Sequence, residues 1–158
     1  MTAATAKAAP DLVEARRAAR DDNDLAPMRA RIPYAGFLGI EMRMAGDAPR
    51  FQLPYRPSFI GNTVLPALHG GVVAGFMESA ALLYLLLTLD EGRLPKSIDF
   101  SLDYLRSANA ADCFAACEMA RQGRRVAQVQ IRCWQAAPGG TEPSREVAVA
   151  RAHFLLTE

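Results

Sequence analysis

The sequence is poor in the residues that bind metals or form disulfides. Its 158 residues include three cysteines and two histidines, and no two cysteines form a Cys-x-x-Cys pair. A disulfide framework or a zinc site needs more of these residues at characteristic spacings. We therefore expect no metal and no cofactor. Cysteines that form neither a disulfide framework nor a metal site are typical of proteins in the reducing cytoplasm.

An excess of charge is missing as well. Lys and Arg number 18 against 17 Asp and Glu, and the basic residues are scattered among acids. Nucleic-acid-binding proteins carry a basic patch or stripe, so the balance argues against a nucleic acid partner. Residues 1–9 lack the apolar core of a signal peptide. We expect this Ala- and Thr-rich start to be disordered and the protein to be cytoplasmic.

The longest apolar run covers residues 71–89, which are mostly Val, Ala, Leu, Met, Phe and Tyr. The run predicts a helix that is apolar on every side and therefore buried, with Gly92 as its C-terminal cap. Glu78 near its middle would cost roughly 2.5 to 3.5 kcal/mol in a bilayer, so we expect no membrane span. A charged side chain inside such a helix is expensive unless function requires it.

Alternation of apolar and polar residues predicts strands on both sides of this helix. A peripheral helix is expected over residues 11–20, and a loop over residues 54–68, where prolines interrupt the pattern. The predicted strands cover residues 38–44 and 50–53, which form a hairpin, and residues 97–104, 112–121, 125–135 and 145–156.

An antiparallel sheet that curls round the apolar helix is the economical way to cover it. We therefore predict an α+β fold in which the sheet wraps one long central helix. Residues 1–34 form an N-terminal arm with a short helix, and residues 35–158 form the main domain. The exposed edges of such a sheet favour pairing with a second copy.

The predicted helix carries one stripe of small residues and an acid. Gly71, Gly75, Glu78 and Leu82 follow one another at helical spacing. Gly75 indicates close approach by a ligand or another backbone, or tight packing of the helix on the sheet. Gly70 and Gly71 would present free backbone N–H groups at the positive end of the helix, which suits an oxyanion or a polarised carbonyl oxygen.

Three motifs occur together in this chain. They are Asn62-x6-His69-Gly70-Gly71-x6-Glu78, the strand that ends in Asp103-Tyr104-Leu105-Arg106, and the turn Gln122-Gly123-Arg124-Arg125. In combination they resemble the hotdog-fold acyl-CoA thioesterases of the PaaI-like group. The resemblance covers about residues 35–156, and it implies the sheet-round-helix fold reached above.

The resemblance implies hydrolysis of an acyl-CoA thioester to the free acid and CoA. By position, the Gly71 N–H polarises the carbonyl and Glu78 acts as general base or nucleophile, with His69 and Asn62 in the catalytic set. The oxyanion contact and the acid would come from opposite subunits of a homodimer, often assembled into a homotetramer. The implied substrate-binding residues are Gly70, Ser79, Arg106, Arg124 and Arg125.

Several alternatives remain open at this point. The chain could be a catalytically silent acyl-CoA-binding or scaffold protein; a dehydratase or hydratase is disfavoured because no His–Asp pair has the spacing such enzymes use. His69 could act in catalysis or only hold its turn through hydrogen bonds to the backbone. Many members of the group have Ser or Thr where this chain has Leu82. We expect loop 54–68, the N-terminal arm and the far end of the helix to shape the acyl pocket.

Overall fold

The computed structural model of the chain describes residues 11–89 and 94–157. The expected disorder of residues 1–9 and the expected helix cap at Gly92 concern residues outside these ranges. The described helices are α1 (Leu12–Asp21), α2 (Ala26–Arg29), α3 (Pro33–Leu38) and α4 (Gly70–Thr88). The described strands are β1 (Glu41–Ala45), β2 (Ala48–Leu53), β3 (Ile60–Asn62), β4 (Ala67–Leu68), β5 (Leu94–Tyr104), β6 (Cys113–Gln122), β7 (Val126–Gln135) and β8 (Arg145–Thr157).

Six of the strands form one antiparallel sheet in the order β1-β2-β6-β7-β8-β5. Helix α4 contacts β2, β5, β6, β7 and β8, so the sheet curls round it as predicted. The α+β hotdog fold is therefore confirmed. Strands β1 and β5 lie at the two edges of the sheet.

Helix α4 is the core of the molecule. Ten of its residues are buried, and they lie on all sides of the helix. The helix is long and apolar enough to cross a membrane by composition, but its hydropathy reflects burial between the sheet and helices α1 and α3. It is the core helix of a soluble domain.

Helix α1 docks on the C-terminal end of α4 and is more than the peripheral helix that the sequence predicts. Its small residues Ala15 and Ala19 are fully buried. Arg16 donates from Nε to the carbonyl of Leu86 at 2.5 Å, and Arg20 donates from Nη2 to that of Leu87 at 2.6 Å. The last carbonyls of a helix have no partner within it, so these two arginines cap α4.

Two expected boundaries are wrong. The sequence predicts that the first strand begins at Leu38. In the structure that residue ends helix α3, and β1 begins at Glu41. Gly39 adopts a left-handed conformation with φ of 70°, which ends a helix and is costly for other residues. The predicted loop 54–68 contains the short pair β3 and β4, whose strands are too short to produce a periodic pattern.

Candidate active site

The turn before α4 is held by His69, the N-cap residue of the helix. The Gly71 N–H donates to His69 Nδ1 at 2.9 Å. A nitrogen that accepts a hydrogen bond carries no proton, so the neutral ring has its proton on Nε2. His69 therefore has the backbone-holding role that the sequence left open, and its exposed ring offers an N–H donor to a ligand.

This hydrogen bond corrects one expectation about the helix start. The Gly71 N–H is not free, because the side chain two residues before it satisfies it. The Gly70 N–H has no acceptor among residues 11–89 and 94–157. Of the two expected free donors at the positive end of the helix, only Gly70 remains.

Neighbouring residues fix the geometry of this turn. The Tyr104 hydroxyl on edge strand β5 donates to the Gly70 carbonyl oxygen at 2.7 Å. A Cβ atom at Gly61 on β3 would lie 2.6 Å from His69 Cα, so only glycine lets β3 approach His69 this closely. The turn is thus held from β5 on one side and from β3 on the other.

A cavity of about 410 Å³ lies at the start of α4. Asn62, Gly70, Tyr104 and Arg106 line it together with apolar side chains that include Leu65. Arg106 donates from Nη1 to the Glu146 carbonyl oxygen at 2.9 Å, which tethers its guanidinium at the cavity. The cavity therefore combines a free backbone donor, a cation and apolar walls.

The Asn62 side chain stabilises the loop that forms one wall of this cavity. Its Oδ1 accepts the N–H groups of Val64 and Leu65, both at 3.0 Å. This arrangement is an Asx turn, in which an Asn side chain replaces a backbone hydrogen bond. The oxygen of the Asn62 amide is therefore engaged, and its Nδ2 group is the part that can contact a ligand.

Glu78 lies half-buried on the stripe that begins at Gly71. It has no hydrogen-bond or ion-pair partner in the part of the chain that the structure describes, and it does not line the cavity at Gly70. Leu82 continues the stripe and is also half-buried. No hydrogen bond or ion pair from the described residues therefore holds the Glu78 carboxylate.

The close approach at Gly75 is made by a side chain of α3. A Cβ atom at Gly75 would lie 2.8 Å from Tyr34 Cε1 and 3.0 Å from its hydroxyl oxygen. The aromatic ring therefore lies directly on the helix backbone between Gly71 and Glu78. Sequence reasoning missed this contact, because nothing in a linear pattern pairs α3 with this turn of α4.

The remaining predicted substrate contacts lie elsewhere. Ser79 is 4% exposed and belongs to the core, so it is not at a surface that a substrate reaches. Arg124 and Arg125 are exposed in the β6–β7 turn. That turn is at the end of the sheet near Lys96, whereas Arg106 follows the opposite end of β5. One chain therefore does not bring these arginines to the cavity at Gly70.

The sheet also carries a cross-strand pair that the sequence pattern did not reveal. His153 Nδ1 on β8 lies 2.9 Å from Asp99 Oδ2 on β5, and the two residues are register partners. Finding such a pair requires the register of the sheet. The pair belongs to β5 and β8, and neither residue lines the cavity at Gly70.

The three cysteines are poor nucleophiles. Cys113 and Cys133 are fully buried, and the side-chain hydrogen bond between them, together with burial, raises the pKa of Cys133. Burial also raises the pKa of the Cys117 thiol. The thiolate is the reactive form of cysteine, so none of these cysteines is a candidate nucleophile.

Comparison with known proteins agrees with this architecture. The family model of the thioesterase superfamily matches residues 65–141, which include the start of α4 and Glu78. A crystal structure of a protein from Chromobacterium violaceum is 40% identical, with a TM-score of 0.69, and the alignment covers 93% of this chain and 96% of that one.

Two further solved structures have the same fold. A thioesterase from Haemophilus influenzae is 23% identical over 78% of this chain and 82% of its own, with a TM-score of 0.68. A phenylacetic acid degradation-related protein from Ralstonia eutropha is 21% identical over 78% of this chain and 89% of its own, with a TM-score of 0.66. No curated protein matches the chain.

Proposed function

The chain belongs to the thioesterase superfamily, and we propose that it hydrolyses an acyl-CoA thioester to a free acid and CoA in the cytoplasm. Thioester hydrolysis is the reaction for which the family is named. The observation that carries the proposal is the free Gly70 N–H, which lies at the positive end of a buried helix and at the wall of a cavity.

Gly70 is the oxyanion donor in this proposal, in place of Gly71. When a nucleophile adds to the thioester carbonyl, the oxygen becomes negative and accepts the Gly70 N–H. Collapse of this intermediate breaks the C–S bond, and the CoA sulfur leaves as the thiolate and takes up a proton. The Nε2–H of His69 and the Nδ2 group of Asn62 are further donors near this position.

Glu78 acts as general base on a water molecule or as the nucleophile itself. As base it accepts a proton while the water oxygen bonds to the carbonyl carbon. As nucleophile it forms an anhydride that water then hydrolyses. The absence of a partner in the described residues leaves both carboxylate oxygens available for either role.

The acid and the oxyanion donor come from different copies of the chain. Gly70 and Glu78 are eight residues apart, which corresponds to about 12 Å along a helix. Gly70 and Val73 line the cavity, whereas Glu78 lies on another side of α4. A glutamate side chain does not span this separation, so the proposal requires a homodimer, which can assemble further into a homotetramer. In such an assembly, arginines of the partner's β6–β7 turn are candidates for contacts with the CoA phosphates.

The proposal is tested by following release of free thiol from short, medium, long and aromatic acyl-CoAs. Glu78→Gln removes the charge with little change in shape, and we expect kcat to fall by about two to four orders of magnitude. Full activity of Glu78→Gln would contradict the assigned role. Measurable binding of acyl-CoA without turnover of any substrate by the wild type would identify a silent binding protein instead.

The role of the Gly70 N–H is tested with a matched pair of variants. Gly70→Pro removes the N–H, and proline is accepted at the first position of a helix. His69 has φ of −63° and ψ of 131°, which a residue before proline adopts readily. Gly70→Ala keeps the N–H and introduces the same Cβ contact with Tyr104. We expect kcat of the proline variant to be about 100-fold below that of the alanine variant, and equal values would exclude Gly70 as the donor.

A further inference from the structure

We infer that Tyr34 sets the upper limit on the length of the acyl chain that this site accepts. The inference rests on the proposed function, because it takes Glu78 to be the group that reacts with the thioester. Tyr34 and its neighbour Phe37 on α3 together form this acyl-chain stop.

The Tyr34 ring lies close to Glu78 along helix α4. The ring lies on Gly75, where a Cβ atom would be 2.8 Å from Cε1. Gly75 precedes Glu78 by three residues on the same stripe, which is about 4.5 Å along the helix axis. Our inference places the acyl group of a thioester bound at Glu78 next to this ring.

The ring is part of an exposed apolar surface. Tyr34 and Phe37 stack with ring centroids 5.9 Å apart, and they are 49% and 68% exposed. This apolar surface beside an unpaired carboxylate is one that an acyl chain can cover. Covering apolar surface is favourable in proportion to the area removed from water.

Helix α3 holds the acyl-chain stop in place. Arg56 donates from Nη1 to the Phe37 carbonyl oxygen at 2.9 Å, which anchors the last turn of the helix. Ala35 and Leu38 on the opposite side of α3 are buried in the core, and Gly39 ends the helix. The ring is therefore part of a fixed wall, and a chain that reaches it has to turn aside or stop.

The ring occupies the space that a longer chain would need along the stripe. Each CH2 group that is buried before the chain reaches the Tyr34 ring raises kcat/KM about fourfold. Groups that would extend beyond the ring add nothing to kcat/KM or clash with the ring. We expect kcat/KM to rise with chain length, reach a maximum, and then fall. Removing the ring opens the stripe from Glu78 towards Gly71, so the maximum moves to longer chains.

The experiment measures kcat/KM for saturated acyl-CoAs from acetyl-CoA to dodecanoyl-CoA with the wild type, Tyr34→Ala and Tyr34→Phe. We expect Tyr34→Ala to move the maximum by at least about two carbons, which corresponds to roughly 16-fold in the ratio of long to short substrates. Tyr34→Phe keeps the ring and is expected to keep the wild-type maximum. Val13→Ala, an exposed apolar residue on α1, controls for loss of any surface side chain.

An unchanged maximum in a folded Tyr34→Ala variant overturns the inference. Dissociation constants of unreactive thioether analogues of the same chain lengths provide a second measurement. If the wild type hydrolyses no thioester, the proposed function fails, but a shift in the preferred chain length for binding by Tyr34→Ala still supports the acyl-chain stop. No shift in binding contradicts it whatever the catalytic result.

Discussion

Tyr104 connects the edge of the sheet to the first peptide of α4. Its hydroxyl donates to the Gly70 carbonyl oxygen, and its ring lies against the position that a Gly70 side chain would occupy, with Oη 3.0 Å from a Cβ atom built there. We regard Tyr104 as a positioning residue, because it acts on the proposed oxyanion donor through the backbone of the same residue. We therefore expect Tyr104 to affect kcat more than KM.

Replacing Tyr104 with Phe is expected to lower kcat about fivefold to tenfold with little change in KM. The substitution removes one hydrogen bond worth about 1 kcal/mol and leaves the ring in place, and about 1.4 kcal/mol corresponds to a tenfold change in rate. Steady-state kinetics and a thermal melt are measured on the same preparation.

Tyr84→Phe is the matched control for this substitution. The Tyr84 hydroxyl accepts the Met119 N–H at 3.2 Å, so this variant also loses one hydrogen bond to α4, far from Gly70. We expect a lower melting temperature with unchanged kcat. If both variants reduce kcat by the same factor, Tyr104 contributes only general stability.

At the scale of residues, the sequence was informative where one side chain in a run is unusual. Glu78 could be proposed as a site residue because a carboxylate interrupts an apolar helix, and His69-Gly70-Gly71 because glycines precede that helix. Which of the two glycine N–H groups is free could not be predicted, since it depends on the direction of one imidazole ring. The contacts made by Tyr34 and Tyr104 depend on which elements meet, and local patterns contain no such information.

Helix α1 affects the stability of α4 through two charged hydrogen bonds. Arg16 and Arg20 donate to the carbonyls of Leu86 and Leu87, and a cation near the C-terminus of a helix also interacts favourably with its dipole. An uncapped end of a buried helix would leave carbonyl groups without partners, which is costly in a core.

The double variant Arg16→Gln and Arg20→Gln is expected to lower the free energy of unfolding by about 1 to 2 kcal/mol. For a chain of this length, that corresponds to a decrease of roughly 2 to 8 °C in Tm. Chemical denaturation and calorimetry measure the two quantities. The control is Arg17→Gln, which changes an exposed arginine on the same helix. An equal loss of stability in this variant would mean that the positive charge of α1 stabilises the fold and that the two capping hydrogen bonds do not.

At the scale of elements, long periodic segments were predicted well and short ones were missed. Helix α4 and strands β6, β7 and β8 lie within a few residues of their predicted ranges, because each buries a regular set of side chains. The alternating residues Ala127, Val129, Ile131 and Cys133 are all buried, as their period requires. Helix α3 and strands β3 and β4 are too short for their periods to appear, and tertiary contacts determine them.

The described part of the chain has a long edge strand, β5, at one side of its sheet. Strand β5 pairs with β8 on one side, and its other side has no neighbour among the described strands. Unpaired edges readily pair with a second copy, and Ile98 on this strand is 58% exposed although it is a large apolar residue. The proposed mechanism takes Gly70 and Glu78 from two copies of the chain, so pairing along this edge would also serve the proposed reaction.

Ile98→Lys is therefore expected to convert a dimer to a monomer and to abolish turnover together with assembly. A charge on an edge strand opposes pairing with another strand, while the exposure of Ile98 in the single chain means that the monomer keeps its fold. Sedimentation velocity over a range of micromolar concentrations measures the assembly, and thiol release on the same samples measures activity.

Val13→Lys introduces the same charge at a residue of α1 that is 50% exposed, and it should remain dimeric and active. A wild-type chain that sediments as a monomer while hydrolysing acyl-CoA would contradict both the dimer and the sharing of one site between two copies, because Glu78 would then have to act with the Gly70 of its own helix.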